Sequence, residues 1–308
     1  MDRETLDEVL RTIRDFGKRE LTREICLSLD ERDECPVALI RRMMGPDLGL
    51  HLVFLPESAG GLGGGAYDVY RVSRELAEID LGVATAFFAI SLGTDPIAVG
   101  GTPDQKARWM GRIASEALIV AYGVTEPTAG SEVSAARTRA ARETDSAGNV
   151  TGYVIDGTKQ FITNGGIADL YTVLARTPDG LSFFVVEKGT PGLSPGAHEK
   201  KHGIRASDTT QVVLDGVRVP AENLVGGGEG VGLKQAQQVF GYTRLMVAAF
   251  GLGAGIAAMR LAIAYAKDRV QYGSPLIAKQ GYTHGLLVPH AVALEASRAY
   301  IEEVAGRL

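Results

Sequence analysis

Residues 118–134 read LIVAYGVTEPTAGSEVS. The run Leu118–Tyr122 is short, apolar and rich in β-branched and aromatic residues, which is the composition of a strand. It breaks into the turn Pro127-Thr128-Ala129-Gly130-Ser131. Such a turn presents backbone N–H groups and the Thr125 and Ser131 hydroxyls, donors suited to an electron-rich heterocycle or a phosphate. Further on, residues 159–166 read KQFITNGG and set the Phe161 ring beside the Thr163 hydroxyl in a strand-like run. A flat ring with a polar tip can sandwich and hydrogen-bond a conjugated molecule. Taken singly, each segment is equally an ordinary hairpin with satisfied side chains.

The texture changes on both sides of this stretch. Residues 3–115 carry helical spacing, with Leu6, Val9, Leu10 and Ile13 on one face and Tyr70, Val72, Leu76 and Ile79 on another. Thr102-Pro103 predicts a capped helix running through Trp109 and Ile113. Strands are expected at Leu118–Val124, Tyr153–Ile155, Tyr171–Ala175, Leu181–Val186 and Gln211–Leu214, with Asp215-Gly216 as a hairpin turn. Helix returns after Gly226-Gly227-Gly228 and continues to Leu308. The expected class is α+β: an N-terminal helical domain (1–117), a middle β-domain (118–226) and a C-terminal helical bundle (227–308).

Composition narrows the function. The 308 residues suit two or three domains, and 45% hydrophobic with 22% charged residues is ordinary globular usage. With 32 basic and 37 acidic side chains the net charge is −5, and no basic run suggests a nucleic-acid partner. Two cysteines, Cys26 and Cys35, build neither a disulfide framework nor a cysteine-rich metal site, and they fit a reducing compartment. The Met-Asp-Arg-Glu start lacks a secretion signal, so a cytoplasmic location is expected. Residues 245–259 are uncharged and contain Gly251-x-x-x-Gly255, but Arg260 and Lys267 interrupt. No membrane span is expected; a bundle helix buried on most sides is.

Three motifs match only on paper. Gly61-Leu62-Gly63-Gly64-Gly65-Ala66 fits a dinucleotide fingerprint after a strand-like Leu50–Leu55, but Pro56 to Ala59 intervene and no βα alternation follows. A glycine-rich turn between helices is the better reading. His198-Glu199-Lys200-Lys201-His202 fits the zinc-peptidase pattern, which needs an α-helix to put both imidazoles on one face. Pro191, Pro195, Gly196 and Gly203 flank it, so a zinc hydrolase through His198, Glu199 and His202 is the distant alternative. Gly226 to Gly232 lacks the lysine of a phosphate loop and reads as a flexible linker.

In order along the chain, YGVTEPTAGSEVS (122–134), KQFITNGG (159–166), KHGIRASDTTQVVLDGVRVPAENLVG (201–226), YTRLMVAAFGLGAGIAA (242–258) and DRVQYGSPLIAKQ (268–280) resemble the flavin-dependent acyl-CoA dehydrogenases. The resemblance covers nearly the whole chain. It implies a β-barrel between two helical domains, an FAD cofactor, an acyl-CoA substrate, an electron-transfer flavoprotein as acceptor and a homodimer or homotetramer. By the same likeness Tyr122, Val124 and Thr125 line the flavin ring, while Gly130 and Ser131 sit where flavin and coenzyme A meet. Phe161, Ile162 and Thr163 cover the other face, with Thr163 hydrogen-bonding near N5. Arg269 neutralises the pyrophosphate on an adjacent subunit with Gln280 nearby, and Arg244 binds the acyl-CoA. Phe87, Phe88, Ser91 and Tyr242 are expected pocket walls.

This chain departs from the pattern in three places. Phe161 stands where many relatives carry tryptophan, Glu132 where aspartate is usual, and Gly241 where many carry an aspartate that holds substrate.

The family reaction removes a proton from Cα and a hydride from Cβ to give a 2-enoyl-CoA, which requires a polarised thioester carbonyl and a carboxylate base. Relatives place that glutamate just before the arginine matched by Arg244, a position held here by Thr243, or on a helix beyond Leu308. Glu126, Glu229, Glu295 and Glu302 match neither place, so the catalytic base is unassigned. The sequence is therefore expected to be a fragment or truncated product, with Leu286, Leu287, Val292 and Leu294 partly uncovered. A binder of flavin and acyl-CoA without turnover is the second reading.

Overall fold

Leu6, Leu10, Ile13 and Phe16 line the buried face of α1 (Arg3–Glu20), whose N-terminus is capped by Asp2 accepting from the Thr5 amide at 2.8 Å. Here and below, the structure is a computed structural model describing residues 1–308. After α1 come α2 (Arg23–Arg32), α3 (Val37–Met44), α4 (Ala66–Ile79), α5 (Leu81–Gly100), α6 (Pro103–Gln105) and α7 (Gly111–Glu116). The cap predicted at Thr102 is present and is extended by Gln105 into a capping box, with reciprocal bonds of 3.2 and 3.1 Å. Leu50–Leu55, read as strand-like, begins instead as a short 3₁₀ helix (Leu50–Phe54), and Gly61 to Gly65 form the expected turn between helices.

Seven strands follow: β1 (Val120–Gly123), β2 (Arg139–Thr144), β3 (Val150–Thr163), β4 (Leu170–Thr177), β5 (Gly180–Glu187), β6 (Leu193–His198) and β7 (Thr209–Pro220). They make one mixed sheet in the order β1-β4-β2-β3-β7-β6, with β5 also on β4. β1 runs parallel to β4, pairing Val120 with Leu170. β3 runs antiparallel to both β2 and β7. The strand path is open, and no ladder joins β5 to β6 to close a barrel. β2 (RAARET) and β6 (LSPGAH) escaped the sequence reading because neither has the apolar, β-branched composition of a strand.

Asp215-Gly216 is not a hairpin turn. β7 runs through it, Ile155 pairing with Val217 and Gly157 with Leu214, so both residues face Asp156 alone. Gly216 has φ +65, and its amide donates to Asp156 Oδ1 at 2.7 Å. A left-handed glycine serves a bulge as well as a turn, and only the partner strand distinguishes them.

The chain ends with α8 (Gly232–Asp268), the small hairpin β8 (Val270–Gln271) and β9 (Ser274–Pro275), α9 (Gln280–Tyr282) and α10 (Val288–Ala305). Two structural units result: Met1–Cys26 with Gly64–Ala84 and Arg244–Leu308, and Leu27–Gly63 with Thr85–Thr243.

In the first unit, Gly17 lies against Ile79, Gly253 against the Arg74 carbonyl and Gly255 against Leu294. An added Cβ at each would come within 2.7 Å of its neighbour, so these three glycines set the helix spacing. Gly251, the other half of the small-residue pattern, faces open space. Nor is this part of α8 buried on most sides: Val247, Leu261 and Tyr265 are exposed. On α10 and the turn before it, Leu286 and Val292 are uncovered as expected, whereas Leu287 is buried.

In the second unit β4 and β5 are buried along almost their whole length, with α5 packed on the sheet. Thr172 Oγ1 donates to the Gly93 carbonyl at 2.8 Å, and a Cβ on Gly93 would meet Val120 Cγ1 at 2.8 Å. Two helices, α5 and α8, are long and apolar enough to cross a membrane by length and composition. The apolar window of α5 is 72% buried in the protein and that of α8 22%.

Candidate functional site

The register of β3 against β7 slips near its end. Lys159 pairs with Val212 and Ile162 with Thr210, so β3 carries one extra residue. That bulge holds Phe161 at φ +57, in the left-handed region, where its ring is 62% exposed between buried Gln160 and Ile162. A bulky residue at positive φ costs roughly 1–2 kcal/mol, and bulges re-aim side chains beside functional sites. Thr163, two residues on, is half-buried. Asn164 is also left-handed (φ +63) and fully buried, its Nδ2 donating to the Ala86 carbonyl at 2.8 Å.

β1 leads into the second half of this surface. Val124 is buried and Thr125 half-buried, and reciprocal bonds of 2.9 and 3.2 Å between Glu126 and Ala129 close the turn. Pro127, Thr128, Gly130 and Ser131 are exposed, and a Cβ on Gly130 would meet nothing within 4 Å. The Gln160 amide donates to the Thr125 carbonyl at 2.8 Å and so joins the two segments directly. The Thr125 and Thr163 hydroxyls take no part in that bond.

An ion pair lies beneath this junction. The Lys159 ammonium donates to Glu126 Oε1 at 2.7 Å and to the Val124 carbonyl at 3.3 Å, and Glu126 also accepts from the Arg137 and Thr138 amides at 2.6 and 3.0 Å. Burial pulls the Lys159 pKa down, against the opposing pull of Glu126. Burial would raise Glu126, but Lys159 and the Thr138 and Arg137 bonds more than offset it, and its carboxyl sits below the usual range. From the sequence, Glu126 is only a carboxylate that matches neither position of the base, and Lys159 has no expected role. A lysine inside an apolar strand pattern was the available signal.

The Tyr122 ring packs inward, 5.8 Å from Phe183 and 6.0 Å from Phe240, with a buried hydroxyl that has no partner. Phe87, Phe88 and Ser91 are buried, the two rings 5.7 and 5.0 Å from Phe54. Tyr242 is half-buried on α8. Arg244, Arg269 and Gln280 belong to the first unit and are exposed, Arg269 leading into β8 and Gln280 opening α9.

Each of the four carboxylates is engaged: Glu126 with Lys159, Glu229 with Arg142 and Tyr153, Glu295 with Arg298, and Glu302 with Arg298 and Tyr70. Thr243 is buried. The glycine-rich segment is not free either. Glu229 holds it to Arg142 at 2.7 Å, the Gly226 amide donates to Gln105 and the Gly230 amide to Ser182.

The zinc reading fails on geometry. His198 ends a strand rather than opening a helix, and its nitrogens lie 3.2 Å from Asp208 and 3.4 Å from Asp33. Glu199 accepts from Gln160, His202 is exposed, and no cluster of three or more His, Cys, Asp or Glu side chains could hold a metal.

An exposed ring over a bulged strand, next to an open hydroxyl turn, fits an aromatic heterocycle with polar edges. Family models for the N-terminal, middle and C-terminal domains of acyl-CoA dehydrogenases match residues 3–117, 121–217 and 230–308. Cyclohex-1-ene-1-carbonyl-CoA dehydrogenase of Geobacter metallireducens is 37% identical over 97% of this chain and 77% of its own length. The solved butyryl-CoA dehydrogenase of Megasphaera elsdenii superposes with a TM-score of 0.90 at 33% identity, over 100% of this chain and 81% of that one. A glutaryl-CoA dehydrogenase of Mycobacterium smegmatis in complex with FADH2 gives a TM-score of 0.87 at 28% identity, covering 99% and 76%.

The fold and these likenesses together define an FAD-dependent oxidoreductase. The chain belongs to the acyl-CoA dehydrogenase family, whose members oxidise the Cα–Cβ bond of an acyl-CoA thioester. This membership favours the dehydrogenase over both the inactive binder and the zinc hydrolase.

Proposed function

We propose that the flavin ring of this acyl-CoA dehydrogenase lies between the Thr125 turn and the Phe161–Thr163 strand. The observation that carries the reading is Phe161, an aromatic ring held outward by left-handed backbone next to two half-buried threonines. Bound FAD supplies the acceptor for the hydride that leaves Cβ.

The chain's own residues would hold and orient the ring. Phe161 covers one face over buried Ile162, and Thr163 and Thr125 hydrogen-bond to the polar edge, with Tyr122 and Val124 backing the turn. Gly130 and Ser131 leave room where coenzyme A approaches, and Tyr242 and Arg244 hold the acyl-CoA. Arg269 and Gln280 serve a neighbouring subunit's pyrophosphate, a task suited to a guanidinium fork. Their exposure beside the hairpin that carries Tyr272, which is 98% exposed, supports a homodimer or homotetramer.

The open seven-stranded sheet is read as the wall of a barrel domain over 118–226, between helical domains at 1–117 and 227–308. Electron-transfer flavoprotein is the acceptor, and two unpaired cysteines suit the cytoplasm. Titrating the purified chain with FAD, then adding acyl-CoA thioesters without oxygen, tests the reading. Bound flavin that bleaches is expected, and Thr163→Val should slow the bleaching. A chain that leaves FAD free in solution would refute the site.

A further inference from the structure

We propose that Lys159 and Glu126 are positioning residues for the flavin site, their buried ion pair setting the Thr125 turn against the Phe161–Thr163 strand. The proposal rests on the flavin reading above. Neither side chain reaches the outer surface, since Lys159 is 0% and Glu126 4% exposed, so both act through the residues beside them.

The case begins with what the sheet does not do. β1 pairs with β4 and β3 with β2 and β7, so no ladder runs between β1 and β3. The two segments that carry the site are also the irregular parts of their strands. The Thr125 turn follows the last paired residue of β1, Gly123, and Phe161 sits in the bulge after Lys159. A regular ladder fixes position residue by residue, whereas a turn and a bulge must be fixed from the side.

The ion pair supplies that fixing. Lys159 is the last regularly paired residue before the bulge, and its ammonium reaches both Glu126 and the Val124 carbonyl, either side of Thr125. Glu126 spends its remaining capacity on the Arg137 and Thr138 amides at the entry to β2. One carboxylate thus joins three stretches of chain at the base of the turn. A buried ion pair adds little net stability because desolvation opposes the attraction, which leaves positioning as what this one contributes.

Three variants test it: Lys159→Met, which keeps the apolar stem, Glu126→Gln, and the double variant, which leaves no lone buried charge. Each is titrated with FAD while the flavin absorption bands and fluorescence are recorded, with circular dichroism and thermal melts on the same samples. The double variant is expected to keep the wild-type fold but bind FAD at least about tenfold more weakly, with shifted absorption bands and less quenched fluorescence. Wild-type affinity and spectrum in the double variant, whatever its Tm, would overturn the proposal. If the double variant does not fold, the same readings on Lys159→Met decide, since Glu126 there keeps its two amide donors. Failure of the wild-type chain to bind FAD would overturn the flavin reading first, and is seen before any variant is made.

Discussion

The Gln160 amide donates to the Thr125 carbonyl across 2.8 Å, although β1, which leads into Thr125, and β3, which carries Gln160, are not neighbours in the sheet. One backbone bond thus brings together two motifs that are 35 positions apart in sequence, counted from Thr125 to Gln160. It also places the bulge, and with it the Phe161 ring, beside the hydroxyl turn.

Replacing Phe161 with glycine should separate stability from function. The left-handed backbone no longer carries a side chain, and the exposed ring gives up little buried area. Thermal melts are expected to show a Tm no more than about 2 °C below wild type, or higher. FAD affinity should nonetheless fall about tenfold or more by titration. A large loss of Tm would mean that the ring is part of the core.

Gly93→Ala should destabilise. The new methyl would sit 2.8 Å from Val120 Cγ1 and 2.9 Å from the Val120 carbonyl carbon, forcing α5 away from β1. Overpacking of this kind costs about 1–3 kcal/mol, measurable as a lower urea midpoint at unchanged slope. An unchanged midpoint would show that the contact between helix and strand is loose.

Asp95 gives a pH signature. Burial pushes its carboxyl up to about 8, and its Oδ2 has no partner. The folded state therefore holds the proton more tightly than the unfolded chain, and this stability is complete below the ordinary carboxylate range and is lost as pH rises through 8. Asp95→Asn should be more stable than wild type at pH 8 by at least about 1 kcal/mol, with the advantage shrinking toward pH 4. Denaturant melts at the two pH values check the sign.

Glu229 titrates the other way. Burial raises it, but the bonds from Arg142, Thr177 and Tyr153 prevail and bring its carboxyl to about 2. The stability it confers is present above the ordinary glutamate value of 4.5 and is lost as pH falls through 2. Glu229→Gln should melt below wild type at pH 7, and the gap should close in acid. A gap that stays constant would mean that the charge of Glu229 is not what ties the glycine-rich segment to Arg142.

Much of the fold could be read before any coordinates. The cap at Thr102, the stripe through Leu6, Leu10 and Ile13, and the apolar runs of β4 and β5 depend on residues a few positions apart, so their signals survive in one dimension. Asp215-Gly216 was misread because turn and bulge use the same residues. The exposed face of α8 was misread because an uncharged run does not say what lies against it.

The helix–strand–helix order, the two motifs and the family they belong to are legible in the residues alone. That Phe161 stands outward on a bulge and that Lys159 meets Glu126 follows from the folded chain. The folded chain also shows that His198 serves two aspartates rather than a metal. The reason is that propensity and capping act within a turn or two of chain. Register, burial and charge pairing are set by segments that become neighbours only when the sheet has formed.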